Sequence, residues 1–268
     1  MVLENSFNKL IKARHGTLLY NKNDIYIGKS IEKYGEFSYL EAKIFEQICK
    51  DGDVVIEVGA NIGAHTLYLS KLVGNGYVFA FEPQRLVFQN LCANLALNSI
   101  SNVFAYQEAV SNENGTIIIP ECNFKENNNF GGINIENTKN GTTVNRQKLD
   151  NFLNKIDRLK LLKIDVEGME ISVIKGASEL IKKFRPMIYV ENDRQEHSKE
   201  LIELLWSLDY KMYWHLPKLY NENNFFNDKE NIFGNIVSVN MFCIHKDSNI
   251  KILDMTEVLD SSFHPMKR

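Results

Sequence analysis

The sequence predicts an α/β fold: a mostly parallel sheet with helices on both faces. Three observations carry that prediction. Short apolar runs alternate with segments of helical spacing between residues 53 and 245. The runs are continuously apolar, as strands covered on both faces read, and do not alternate apolar with polar. A glycine-bearing turn ends the first strong run, where ligands bind in parallel sheets.

Taken in order, Asp53 to Val58 (DVVIEV) is a buried strand ending in glycine, and Ala64 to Leu72 is a helix with Leu67, Leu69 and Leu72 at helical spacing. Tyr77 to Phe81 is the second strand and Gln84 to Leu97 the second helix. Val103 to Val110 reads as a third strand, with Thr116 to Ile119 as a hairpin-like addition. Leu159 to Ile164 is a strand, Glu170 to Phe184 a helix, Met187 to Val190 a strand and Glu196 to Leu208 a helix. Tyr210 to His215 and Val237 to His245 close the sheet. Asn-rich stretches at 123–145 and 221–235 read as surface loops, because Asn and Gly favour turns. The division expected is a lead-in and cap segment over 1–50, the α/β domain over 51–246 with loop insertions at 122–147 and 217–235, and a tail over 247–268.

The composition is that of a globular chain: 268 residues, 44% hydrophobic and 24% charged, so a sizeable core can form. A formal net charge of -3, with both signs mixed along the chain, argues against a nucleic-acid partner held by a phosphate-binding field. Cys49, Cys92, Cys122 and Cys243 form no C-x-x-C pair, which argues against zinc knuckles and redox dithiols. Free thiols fit a reducing compartment. The first ten residues lack a signal-peptide core, and no run approaches the ~20 apolar residues of a membrane span. A cytoplasmic protein is expected; a homo-oligomer is compatible with the sequence.

The strongest chemical signal is Glu57-Val58-Gly59-Ala60-Asn61-Ile62-Gly63, between the first strand and its helix. Gly59 and Gly63 let a ligand approach the backbone. The spacing is G-x-x-x-G, not the G-x-G-x-x-G of dinucleotide sites. Glu57, two residues before the first glycine, would repel a pyrophosphate at the helix N-terminus. S-adenosylmethionine carries no phosphate but has an ammonium and a sulfonium, which an acid beside the loop suits. Glu82, ending the second strand in Phe81-Glu82-Pro83, can accept from both ribose hydroxyls.

These residues resemble the FkbM family of S-adenosylmethionine-dependent methyltransferases. The resemblance rests on Gly52 to Gly63, on Leu161-Leu162-Lys163-Ile164-Asp165-Val166-Glu167-Gly168-Met169-Glu170 with Val173 to Ala177, and on Arg185 to Glu191. Phe130-Gly131-Gly132 and Leu149 to Leu153 stand where the family has a glycine pair and an L-D-x-x-L helix start. The ordered motifs cover residues 35 to 245. The resemblance implies a Rossmann-like class I methyltransferase fold, seven strands, and O-methylation of a sugar, glycolipid or polyketide hydroxyl. Carried onto this chain, Glu57, Gly59, Asn61 and Gly63 hold the methionine moiety, with Ala60 and Thr66 beside them. Glu82 takes the ribose, and Glu108-Ala109-Val110 borders the adenine. Gly35 to Glu41 resembles the family's lead-in helix, which can close over the cofactor.

Methyl transfer is an in-line displacement, and an alcohol acceptor also needs a base or a metal to lose its proton. Asp165 and Glu191, at adjacent strand ends, are the candidate bases, with His215 ranked behind them. With Asn192 they form a candidate site for Mg²⁺ or another divalent metal; the plainer reading is a hydrogen-bonded pair that fixes strand ends and Lys163. His65 reads as a satisfied histidine, Glu167 as a cleft residue and Glu170 as structural. The two Asn-rich loops, with Phe130, Tyr213, Trp214, Tyr220 and Phe225, are the natural elements for a small-molecule or glycan acceptor. The competing readings are a nicotinamide-dependent oxidoreductase and a non-enzymatic module that binds the methyl donor.

Overall fold

The computed structural model describes residues 3–133 and 140–267. The chain opens with β1 (Leu3–Glu4), β2 (Asn8–Ala13) and β3 (Gly16–Asn21), a small antiparallel sheet. Helices α1 (Ile27–Tyr34) and α2 (Tyr39–Ile48) follow. The segment expected as a lead-in thus has a sheet of its own. Within Gly35 to Glu41 only the last three residues are helical: Gly35 ends α1 in the left-handed region.

The main sheet is built from β4 (Val54–Val58), α3 (Thr66–Val73), β5 (Tyr77–Phe81), α4 (Arg85–Leu97) and β6 (Val103–Tyr106) on one side. After a detour, β7 (Ala109–Val110), β8 (Gly115–Ile119) and β9 (Thr142–Gln147) form a second small sheet. The other side follows with β10 (Leu161–Ile164), α5 (Glu170–Lys175), α6 (Ser178–Phe184), β11 (Met187–Glu191), α7 (Gln195–Ser207), β12 (Tyr210–His215), β13 (Asn240–His245) and β14 (Thr256–Glu257).

Strand order is β14-β12-β13-β11-β10-β4-β5-β6. Strands β11, β10, β4, β5 and β6 run parallel; β13 is antiparallel to both its neighbours. From β4 the chain moves outward to β6, then returns to lay β10 on β4's other edge. The order therefore reverses between β4 and β10, which opens a crevice at their carboxyl ends. Helices α2 and α3 cover one face through Phe45, Leu69 and Val73; α5, α6 and α7 cover the other through Val173, Ile181 and Leu201.

Several expectations need correction. The described residues form eight strands in the main sheet, not seven, because β14, from the expected tail, pairs with β12. The strand expected over Val103 to Val110 is two: β6 stays in the main sheet and β7 leaves it to pair with β9. The helix expected over Glu170 to Phe184 breaks at Gly176, whose added Cβ would lie 2.0 Å from the Ser111 carbonyl oxygen. The stretch 123–145, expected to be a loop, contributes Thr142–Asn145 to β9, and its residues 134–139 lie outside the described residues. Strand β13 starts at Asn240, with only Val237 bridged before it, to Lys218.

The N-terminal sheet is fastened to α4 by asparagine. Asn94, fully buried, accepts the Leu19 N–H at 2.6 Å and donates to the carbonyls of Leu19 and Ile62. Asn98 makes the same paired bonds to Thr17. Truncating Asn94 leaves backbone groups buried without partners, each costing about 1–3 kcal/mol. Asn94→Ala is expected to lower unfolding free energy by about 3 kcal/mol in urea titrations, and Asn94→Asp to recover little, since it cannot donate to two carbonyls.

Candidate active site

The glycine turn after β4 is shaped by two constraints. Gly59, Asn61 and Gly63 all have positive φ (84°, 50° and 86°). A Cβ on Gly59 would lie 1.7 Å from the Asp165 carbonyl oxygen, so the turns after β4 and β10 touch backbone to backbone. The Gly59 and Ala60 N–H groups donate to the Phe81 carbonyl, which ties the turn to the end of β5.

A cleft of about 340 Å³ opens there, within the range of small-ligand sites. Its floor holds Glu57, Glu82 and Lys163, all buried. Glu57 faces Lys163 across the β4–β10 register, and Lys163 faces Tyr189 on β11. The Lys163 ammonium lies 3.0 Å from Asp165 Oδ2 and 3.9 Å from Glu57 Oε1. Burial alone would lower the Lys163 pKa; Asp165, Glu57 and Glu41 outweigh it and hold the amine charged. Burial pushes the Glu57 carboxyl up to about 7 against the opposing pull of Lys163 and of the Thr66 hydroxyl, which donates to it at 2.6 Å. Burial likewise pushes Glu82 to about 7, although it accepts the N–H groups of Gln84 (2.8 Å) and Asn61 (3.0 Å).

At the ends of β10 and β11, one carboxylate oxygen each from Asp165, Glu167 and Glu191 lie within 4.8 Å of one another. Burial first, then the charges of Asp165 and Glu167, raise the Glu191 pKa well above the carboxylate range. Its Oε2 is buried without a hydrogen-bond partner. Arg194 donates to Glu167 at 2.8 Å and sits 3.4 Å from Asp193.

The structure brings Glu57, Gly59, Ala60, Asn61, Glu82, Asp165 and Glu191 together around this cleft. It does not bring the others. Gly63 packs under the turn, where an added Cβ would meet Leu91, and Thr66 reaches the site only through Glu57. Glu108 is bound by the Gln147 amide and Ala109 is paired in the small sheet, so neither lines the cleft. Asn192 turns away: its amide donates to Ser198 and Met241 sulfur, and Glu167 takes its place in the acidic cluster. His215 is held by the Tyr189 hydroxyl at 2.8 Å, outside the lining.

Three lining residues carried no signal of their own. Glu41 on α2 accepts the Ser38 hydroxyl at 2.6 Å, and burial raises its pKa. Asp193 and Arg194 follow β11; a charged pair after a strand looks like any solvated turn. Lys163 alone was detectable, as a lysine inside the apolar run LLKI. His65 lines the cleft, and burial drives its pKa down to about 3, which keeps it neutral.

Residues 57–212 match the model of the methyltransferase FkbM domain, and the chain belongs to that family. Methyltransferase sdnD of Sordaria araneosa is 28% identical over 181 residues, 54% of this chain and 70% of that protein. The hexuronic acid methyltransferase AglP of Haloferax volcanii is 25% identical over 178 residues, 66% of this chain and 70% of its own. A crystal structure of an FkbM methyltransferase from Methylobacillus flagellatus overlays with a TM-score of 0.46 at 18% identity, covering 76% of this chain and 50% of that one. The eight-stranded sheet is a class I methyltransferase sheet carrying one extra edge strand.

Glu57 and Glu82 each have an ordinary pKa of 4.5 that burial raises to about 7, so both gain protons as pH falls through 7. A ligand that needs them ionised must expel those protons. Affinity for S-adenosylhomocysteine, measured by calorimetry, is therefore expected to be flat between about pH 8 and 8.5, where the ligand keeps its ammonium, and to weaken progressively from pH 7 to pH 5.5. Glu82→Gln, which removes a buried carboxylate from the cleft floor, is expected to weaken it by about tenfold or more.

Proposed function

We propose that this protein transfers the methyl group of S-adenosylmethionine to a hydroxyl of a sugar or another small acceptor. One observation carries the reading: the crevice where strand order reverses is floored by buried acids, and among the described residues both lining cations, Lys163 and Arg194, are already ion-paired. A dinucleotide pyrophosphate resting on the glycine turn would meet the buried Glu57, whereas Glu82 suits the ribose of either ligand. A ligand bearing a sulfonium and an ammonium would relieve those carboxylates. The donor supplies an activated methyl group; the chain binds, orients and deprotonates. Glu57 and the turn Gly59–Asn61 hold the methionine end and Glu82 the ribose. Asp165 or Glu191, at the ends of β10 and β11, assists loss of the acceptor's proton. The name of the Haloferax volcanii relative, a hexuronic acid methyltransferase, favours a sugar acceptor. The cleft's acids oppose nucleic acid as acceptor. Four unpaired cysteines, two of them buried, favour a reducing, cytoplasmic setting; among the described residues no helix is long and apolar enough to cross a membrane.

A divalent cation is a second component of this reading. The three clustered carboxylates and the partnerless Glu191 Oε2 fit a hard, oxygen-seeking ion such as Mg²⁺. Asp165, Glu167 and Glu191 would hold it, and it would supply Lewis-acid help in deprotonating the hydroxyl.

Two experiments test these claims. Formation of S-adenosylhomocysteine is followed with D-glucuronic acid, UDP-glucuronic acid and methyl β-D-glucoside as acceptors. With whichever turns over, Asp165→Asn combined with Glu191→Gln is expected to cut kcat by about 10²-fold or more while affinity for S-adenosylhomocysteine stays within about twofold. Unchanged turnover would remove both residues from the chemistry. Separately, Mg²⁺ is expected to raise the melting temperature of the wild type and to leave Glu191→Gln unmoved; a rise of equal size in both would remove the ion from this cluster.

A further inference from the structure

Residues 216–239 join β12 to β13 without a helix or strand of their own, and they are not free. Their stem continues the strand pair, with the Leu219 N–H on the Ile236 carbonyl and the Ser238 N–H on the Pro217 carbonyl. From this stem Leu219 and residues 236–239 line one wall of the cleft, beside Phe37 from the α1–α2 turn. The tip of the loop then crosses to the N-terminal unit and converges on one buried carboxylate.

That carboxylate is Glu36, whose side chain is 4% exposed. Its Oε1 accepts the Asn221 amide at 2.8 Å, and its Oε2 accepts the Phe225 backbone N–H at 2.9 Å and the Arg14 guanidinium Nε. Arg14 comes from the β2–β3 turn; it also donates to the Asn223 carbonyl at 2.8 Å and stacks 4.0 Å over Tyr39. Tyr34, two residues earlier at the end of α1, repeats the pattern, donating to the Glu230 carbonyl and accepting the Ile232 N–H, both at 2.9 Å. Gly35 between them leaves no room: its Cβ would come within 2.9 Å of both Phe225 and Phe226.

We propose that Glu36 is a positioning residue for the acceptor wall: by clasping the tip of the 216–239 loop to the β2–β3 turn, it sets Leu219, Ile236 and Val237 against Phe37 over the cleft. This rests on the reading of the cleft as the methyl-transfer site. The chemistry of the wall defines the acceptor's shape. Leu219, Ile236, Val237 and Phe37 give the acid-floored cleft an apolar side, to which the acceptor presents an apolar C–H face, as a sugar ring does. Glu36 touches no reactant. Its effect passes through the loop, and it depends on charge, because three donors from two chain segments, the loop and the β2–β3 turn, meet on a single carboxylate.

The test uses Glu36→Gln in the full chain, with S-adenosylhomocysteine as the probe. Hydrogen exchange read by mass spectrometry is expected to speed up about tenfold or more over residues 217–237, the change that losing hydrogen bonds to a charged group predicts. Exchange in β4, β5 and α4 stays as in the wild type, and S-adenosylhomocysteine dissociates faster by a similar factor, measured by stopped flow. Asn221→Ala, which removes one of the three bonds and spares the Arg14–Glu36 pair, is expected to act in the same direction and more weakly, and serves if the first variant does not fold. Unchanged exchange in the loop, acceleration spread over the whole chain, or unaltered ligand release would each overturn the proposal. Failure of the wild type to bind the probe would strike the methyl-transfer reading instead, with the exchange data still deciding whether Glu36 holds the loop.

Discussion

The cleft depends on how closely two strand ends approach. The Asp165 N–H donates to the Val58 carbonyl at 3.0 Å, and the Asp165 carbonyl occupies the space where a side chain on Gly59 would begin. This contact places the turn after β4 and the turn after β10 side by side at the point where strand order reverses. Glu57 and Lys163 then face each other in register, and Asp165 rises two residues further along the same face. Glu82 joins from β5 because the glycine turn is bonded to the Phe81 carbonyl. A bulkier residue at position 59 would push β10 away and scatter every acid on the floor.

Collecting carboxylates in a buried crevice is unfavourable for the free protein, and the proton affinities show it. Glu57, Glu82 and Glu191 are all raised by burial, and Lys163 offsets the charge of Asp165, Glu57 and Glu41 but not that of Glu82 or Glu191. Such sites hold their charge poorly until a cationic partner arrives, a common trade between stability and function. The N-terminal unit supplies the compensation elsewhere. Its asparagine bonds to α4 and the Glu36 clasp are hydrogen-bonded polar contacts away from the cleft, and they add no charge to its floor.

Legibility in the sequence followed distance along the chain. The glycine turn, Glu57, Glu82, Asp165 and Glu191 were readable because each is fixed by its own strand and the turn that follows. Contacts made across more than a hundred residues left no local trace. Glu36 meets Asn221 and Phe225, and Glu41 meets Asn240; neither partner can be guessed from its neighbours. Asn192 and His215 sit at strand ends, as expected of site residues, yet one amide turns to Ser198 and one imidazole to Tyr189. Strand pleating, which chooses the face, decided both. The small hairpin of β2 and β3 is local yet carries no clear signal: Asn8–Ala13 and Gly16–Asn21 flank the two-residue turn Arg14-His15, which lacks the Asn-Gly or Asp-Gly of a typical hairpin turn. The eighth strand is two residues long, too short for any periodicity.

A calorimetric competition at pH 8 between S-adenosylhomocysteine and NAD⁺ reaches the electrostatic claim most directly. An acid-floored crevice predicts saturable, one-to-one binding of the thioether nucleoside and no displacement of it by the dinucleotide. Heat from NAD⁺ alone, with none from S-adenosylhomocysteine, would contradict the account at its root.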